Sequence, residues 1–200
     1  MIVKEKRKLI KEEIISSARE VFRKYGYRKT TMDDIAALMN RGKTSLYYYY
    51  KSKEELFQAV VDCEAARLKN KILSSLENEK SVIGKFKKYI YSRMMGLKDL
   101  SLFYEAIHME LYDHLKYINQ AREKFDKDEL IMIKEIIKEG VKNKELAECD
   151  ENKSANAILS ILKGLEMQLF VDEIDDNELT ENLNDIINII IHGIIKCETQ

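Results

Sequence analysis

The stretch from Thr30 to Leu56, TTMDDIAALMNRGKTSLYYYYKSKEEL, constrains this chain more than any other. It reads as two short helices joined by a tight turn, followed by the capped start of a third. Thr31 suits an N-cap, and Asp34 three residues on places a carboxylate in the first turn, a weak capping-box pattern. Ile35, Ala36, Leu38 and Met39 form a short apolar face. Asn40-Arg41-Gly42 is the expected break, because Asn and Gly both tolerate the positive φ that a helix-turn-helix corner requires. Lys43 to Tyr50 is the second helix, and Ser52-Lys53-Glu54-Glu55 is an S-x-x-E capping box opening the next.

Helical spacing divides the second helix into two faces. Leu46, Tyr49 and Tyr50 point to a core, while Lys43, Thr44, Tyr47 and Tyr48 share the opposite side. That outward side carries a cation, a hydroxyl and two phenols, and no acid. A helix of this width enters the DNA major groove, where Lys reaches guanine O6 and N7 and Thr meets a thymine methyl. Tyrosine hydroxyls suit phosphate oxygens. The competing reading is that four consecutive tyrosines are ordinary packing.

The residues Thr30-Thr31, Ile35-Ala36, Lys43, Leu46-Tyr47, Tyr49 and Lys51 to Leu56 resemble the DNA-binding motif of the tetracycline-repressor (TetR-like) family of bacterial transcription regulators. The resemblance covers roughly residues 9–57 and beyond that rests on length and helical layout. At the turn the family usually has Gly followed by an apolar residue, where this chain has Asn40 and Arg41. Arg41 loses an apolar plug and offers a phosphate contact. After the lysine the family usually has a small residue, where this chain has Thr44. The expected DNA-contacting set is Thr31, Arg41, Lys43, Thr44, Ser45, Tyr47, Tyr48 and Lys53, the last in a first helical turn that favours an anion.

Charge supports a nucleic-acid partner. Residues 1–53 hold 14 Lys/Arg against 6 Asp/Glu, a net of +8, whereas residues 54–200 hold 20 against 29, a net of −9. A basic end on an acidic body attracts phosphate locally without making the whole molecule adhesive. The chain has no proline, seven glycines and abundant Leu, Ile, Lys and Glu, which predicts an all-α protein. The expected organisation is an N-terminal three-helix helix-turn-helix domain over 1–52 and a helical effector-binding and dimerisation domain over 53–200. Expected helices run from Lys4 to Tyr25, ended by Gly26; from Lys53 to about Glu77, the lever between the domains; from Ser81 to Leu97; from Leu100 to Leu115; from Tyr117 to Asn143, capped by Asn143; from Asp150 to Phe170; and from Asn177 to Cys197. The basic head at Lys4, Lys6, Arg7 and Lys8 is either a DNA-reaching arm or a solvated, frayed end.

In the second domain, aromatic and methionine residues cluster just after the lever. Phe86, Tyr89, Met94, Phe103, Tyr104, His108, Tyr112 and Leu165 are the expected lining of an effector cavity for a small apolar or amphipathic molecule, Met being able to repack around varied shapes. His108 either hydrogen-bonds such a ligand or is a core histidine satisfied by a neighbouring hydroxyl. The last two helices are apolar around most of their girth, which requires burial on two sides. The resemblance implies a homodimer through a four-helix seam, with Ile158, Leu162, Leu165, Ile187, Ile190 and Ile194 as the expected interface. Three widely spaced cysteines, Cys63, Cys149 and Cys197, and a charged N-terminus without an apolar leader point to a reducing cytoplasm, and no apolar run reaches membrane-spanning length. No metal-ligand spacing, phosphate loop or nucleophile elbow occurs, so neither a metal, a cofactor nor catalysis is expected. The basic helix-turn-helix predicts a DNA-binding regulator, and the resemblance implies a ligand-released repressor on a palindromic operator. The alternative is a helical interaction module whose basic end docks an acidic partner.

Overall fold

The computed structural model describes the backbone over residues 2–108, 115–171 and 176–194, and side chains over 5–100, 123–166 and 177–189. All of the described secondary structure is helical: α1 (Ile2–Lys29), α2 (Met32–Leu38), α3 (Lys43–Tyr49), α4 (Lys53–Leu76), α5 (Val82–His108), α6 (Leu115–Lys142), α7 (Glu151–Val171) and α8 (Asp176–Ile194). Two compact units result, one of Met1–Arg67 with Leu100–Arg122, the other of Leu68–Asp99 with Glu123–Gln200. The start of α4 supplies Leu56, Phe57, Val60 and Val61 to the core of the first unit.

That core is built from spacing. Ile14, Ala18, Val21 and Phe22 on α1, Ile35 and Ala36 on α2, and Leu46 on α3 are all buried. Phe22, Tyr27 and Phe57 form a ring cluster with centroids 4.9–5.8 Å apart. Gly26 adopts φ 76 and ψ 171, so α1 breaks where expected, yet one more turn follows to Lys29. Buried Glu64 on α4 is gripped by Arg19 of α1 at 3.1 Å and by Arg67 at 2.9 Å.

The expected break between Leu97 and Leu100 does not occur; α5 runs continuously from Val82 to His108. The intervening Lys98-Asp99 contains neither Gly nor Pro, so nothing there costs the helix more than ordinary propensity. At the end of α6 Asn143 stands at the cap position, and Lys144 just beyond it takes the left-handed conformation, at φ 62. The Lys144 N–H donates to the Val141 carbonyl at 3.1 Å and the Glu145 N–H to Gly140 at 2.9 Å, the paired bonds of a Schellman closure. Gly140 permits the following chain to fold back closely, since a Cβ there would lie 2.5 Å from Leu146 and 2.9 Å from Val82.

The second unit's interior contains a charged knot that sequence spacing did not reveal. Arg93 on α5 and Glu129 on α6 are each 1% exposed, and Glu166 on α7 is 4% exposed. The Arg93 Nε donates to Glu129 Oε1 at 2.7 Å and the Tyr89 hydroxyl to the same oxygen at 2.8 Å, while Arg93 Nη2 donates to Glu166. Burial raises the Glu129 carboxyl above its usual range despite the pull of Arg93. Burial opposes the Arg93 charge, but the two carboxylates outweigh it and raise the guanidinium further.

Candidate nucleic-acid interface

The turn between α2 and α3 is set by local hydrogen bonds. Thr31 caps α2: its hydroxyl oxygen accepts from the Asp34 N–H at 3.2 Å, and Asp34 Oδ2 accepts from the Thr31 N–H at 2.8 Å. The Asp34 carboxyl is accordingly held below its ordinary range by Thr31. At the other end Asn40 stands at φ 50, where an L residue is tolerated best when it is Asn or Asp. Its N–H donates to the Ala37 carbonyl at 3.0 Å and the Arg41 N–H to the Ala36 carbonyl at 3.0 Å. Asn40 therefore does what glycine does in this closure. Gly42, at φ −71, is the extended N-cap of α3 and needs no positive φ.

With the corner fixed, α3 presents the two faces expected from its spacing. Leu46 is fully buried and Tyr50 nearly so, whereas Tyr47 is 41% and Tyr48 69% exposed. Lys43 and Thr44 are exposed on the same side, and Ser45 is half-buried. Tyr49 is half-buried, its ring edge-on to that of Tyr48 at 5.0 Å. Lys43 does not stand free: its Nζ lies 2.7 Å from Asp33 Oδ2, and that carboxylate raises its pKa. Any anion or base edge approaching this cation would have to compete with that one local acid.

Two expected contacts already have partners within the subunit. Arg41 is paired with Glu13 of α1 at 2.8 Å, which ties the turn to the first helix. Lys53 directs its ammonium away from any anion at its own helix start. Its Nζ donates to the carbonyls of Tyr27 at 2.9 Å and Thr30 at 3.0 Å, and it lies 4.2 Å from the centre of the Tyr27 ring. These carbonyls lie at and just beyond the end of α1, where intrahelical donors run out, so the lysine serves as a C-terminal cap in space. Thr30 completes the arrangement by donating to the Gly26 carbonyl at 2.6 Å, and the Tyr27 hydroxyl donates to Glu54 at 3.0 Å. The Glu54 carboxyl is lowered first by a backbone hydrogen bond and next by Ser52.

Sequence reasoning left the basic head unassigned. Arg7 lies over the exposed Tyr48 ring at 5.6 Å, and Lys11 one turn later over Tyr50 at 5.7 Å. The i, i+4 spacing of Arg7 and Lys11, continued by buried Ile14, marks the face of α1 that runs beside α3. That periodicity was the available signal. The exposed face thus gathers Thr31, Lys43, Thr44, Tyr47 and Tyr48 with Arg7, a surface of cations, hydroxyls and phenols suited to phosphate oxygens and base edges.

The other expected sites fare differently. Phe86, Tyr89 and Met94 are at most 2% exposed, packed as core, with Tyr89 bound into the Glu129 knot. The side chains of Phe103, Tyr104, His108 and Tyr112 lie outside the described residues. Of the expected dimer set, Ile158, Leu162 and Ile187 are at most 3% exposed within one subunit, so they have no area left to give a partner. Ile161 on α7 (47% exposed) and Ile189 on α8 (71%) face outward instead, and Leu165, one turn after Ile161 on α7, is half-buried. The side chains of Ile190 and Ile194 are outside the described residues. Among the described residues no His, Cys, Asp and Glu group is arranged to hold a metal, and no helix is long and apolar enough to cross a membrane.

Residues 14–60 match the family described as bacterial regulatory proteins, tetR family. Over 190 residues the chain is 27% identical to the HTH-type transcriptional regulator QacR of Staphylococcus aureus, covering 94% of this chain and 99% of that protein. It is also 27% identical, over 139 residues, to the negative transcriptional regulator IcaR of the icaADBC biofilm operon of Staphylococcus aureus, covering 63% of this chain and 75% of IcaR. A transcriptional regulator from Cytophaga hutchinsonii superposes with a TM-score of 0.79 at 26% identity, over 92% of this chain and 98% of that one.

Proposed function

This chain is a TetR-like, DNA-binding transcriptional regulator rather than an enzyme, and from that premise we propose that it is a cytoplasmic repressor released from a palindromic operator by a small ligand. The observation that carries the reading surface is the division of α3: Leu46 is at 0% exposure, and Tyr48, about half a turn round the helix, is at 69%. Regulators of this family bind operator DNA as dimers. Two copies of α3 would then enter successive major grooves about 34 Å apart. In this reading Lys43 and Thr44 read bases, and Tyr47, Tyr48 and Arg7 hold phosphates.

The outward Ile161, Leu165 and Ile189 are the proposed dimer seam, since a subunit interface needs apolar area that the subunit itself has not buried. The proposed effector is a small apolar or amphipathic molecule held by the second unit. It would act by favouring a dimer state whose reading helices no longer match the groove spacing. Helix α4 is one covalent route, contributing to the core of the first unit up to Val61 and to that of the second from Leu68.

Selection of bound fragments from a random duplex pool tests the reading. The expected result is an inverted repeat, bound with a steep salt dependence. Recovery of no preferred sequence would refute operator recognition and return the interaction-module reading.

A further inference from the structure

Helices α4 and α6 leave an open groove on the second unit, with a volume of about 460 Å³. Its floor is Leu73, Leu76, Ile131, Met132 and Ile136. Two of these are conspicuously uncovered, Leu73 at 41% and Ile131 at 61% exposure. From Asp128 to Glu139 the α6 wall runs about 16 Å at 1.5 Å per residue, the length of three helical turns.

The rim is acidic. Lys69 is paired with Asp128 at 2.7 Å and Lys85 with Glu139 at 2.5 Å, so both lysines are spent. Glu77 and Glu135 also line the groove and are exposed. Among the described residues no ion pair neutralises either, which leaves the groove with two excess negative charges.

We propose that this groove docks a basic amphipathic helix of a partner protein, an interaction separate from the operator and effector readings above. Three arguments select that occupant. A small ligand is held by a cleft that buries most of its surface, whereas Leu73 and Ile131 show this one open along its length. A helix needs only an apolar stripe with anchors at i, i+4 and i+7 laid into such a trough. A second copy of the same face would bring a surface of the same net negative charge against this one, which disfavours that pairing. A cationic flank on the incoming helix meets both carboxylates.

Met132 gives a local reporter. The full-length protein, labelled with 13C at its methionine methyls, is titrated with a lysine–leucine peptide of about 16 residues bearing leucines at i, i+4 and i+7. The matching glutamate–leucine peptide is the control, and Met132→Leu assigns the signal. The Met132 methyl is expected to shift and saturate with the basic peptide and to ignore the acidic one. The double reversal Glu77→Lys with Glu135→Lys, both at exposed positions, should weaken binding by about tenfold or more, while Glu148→Lys elsewhere should not. Circular dichroism and operator binding check that the variants remain folded. A Met132 methyl that stays unmoved overturns the proposal, as does equal binding of the two peptides or of the reversal variant. Response to dodecyltrimethylammonium but not to the peptide overturns the assignment to a helix.

Discussion

Lys53 offers the sharpest test, because two roles for it predict opposite results. As a cap it makes two charge-assisted hydrogen bonds, to the Tyr27 and Thr30 carbonyls, and one contact with the Tyr27 ring. At the low end suited to a half-buried ammonium, each bond contributes about 1.5 kcal/mol, and the ring contact adds about 0.5–1 kcal/mol. Thr30 is 1% exposed, so water cannot readily replace the lost donor at its carbonyl. Lys53→Met keeps the aliphatic stem and removes all three contacts, which should cost about 3–4 kcal/mol. For a chain of this length that lowers Tm by about 10 °C. Calorimetry measures the stability. Fluorescence anisotropy with the selected operator, below both melting transitions and from about 50 to 200 mM salt, measures the DNA contact. The cap predicts an unchanged slope of log K against log salt. A phosphate contact predicts a slope smaller by about 0.9, and that result with an unmoved Tm would refute the capping argument.

Other expectations follow from the same geometry. Lys43→Ala and Tyr48→Ala should each lose about 1–3 kcal/mol of specific DNA binding with helicity intact, and Asp33→Asn should tighten binding by freeing Lys43; anisotropy titrations check all three. Ile161→Lys or Ile189→Lys should dissociate the dimer without unfolding the subunit, whereas Leu162→Ala should keep the dimer while lowering stability by about 2–5 kcal/mol, as read by light scattering and denaturant melts. Arg93→Met should destabilise by about 3–5 kcal/mol because it strands two buried carboxylates. Because the folded state raises the Glu129 carboxyl, its contribution to stability is present at low pH and is lost as pH rises through the folded value; Glu129→Gln should therefore flatten the stability profile above about pH 4.3. Lys144→Gly should stabilise by about 1 kcal/mol by relieving a left-handed lysine, visible as a higher denaturant midpoint.

What the sequence made legible depended on locality. The Thr31–Asp34 box, the positive φ at Asn40 and the two faces of α3 all follow from residues within a few positions of one another, so spacing and cap chemistry suffice. The acceptors that Lys53 meets, Tyr27 and Thr30, were not legible because they are brought near only when α1 packs against α4. The inward and outward faces of α7 were also unreadable: Ile158, Ile161 and Leu162 are equally apolar, and only packing decides that the second faces out. The expected break near Leu97 does not form although Gly96 stands beside it, since one glycine costs a helix only about 1 kcal/mol and a long, packed helix absorbs that.

The Arg93 knot gives these interchangeable apolar faces a single register. Isoleucine and leucine surfaces on α5, α6 and α7 can slide past one another at small cost, since volume-conserving rearrangements of a core are tolerated. A guanidinium that must meet Glu129 and Glu166 together cannot slide, because any shift leaves a buried charge unpaired at a cost of several kcal/mol. Helix α4 is held in the second unit by different means. Its buried residues there are the apolar Leu68 and Ile72, with Gly96 of α5 lying against Leu68. Its polar ties are the partly exposed pairs Lys69–Asp128 and Lys71–Asp99, each contributing at most about 1 kcal/mol. Within this unit α5, α6 and α7 are therefore locked by a buried charge network and α4 by a yielding one. The element with the weaker polar ties is the one that continues into the core beneath the reading helix.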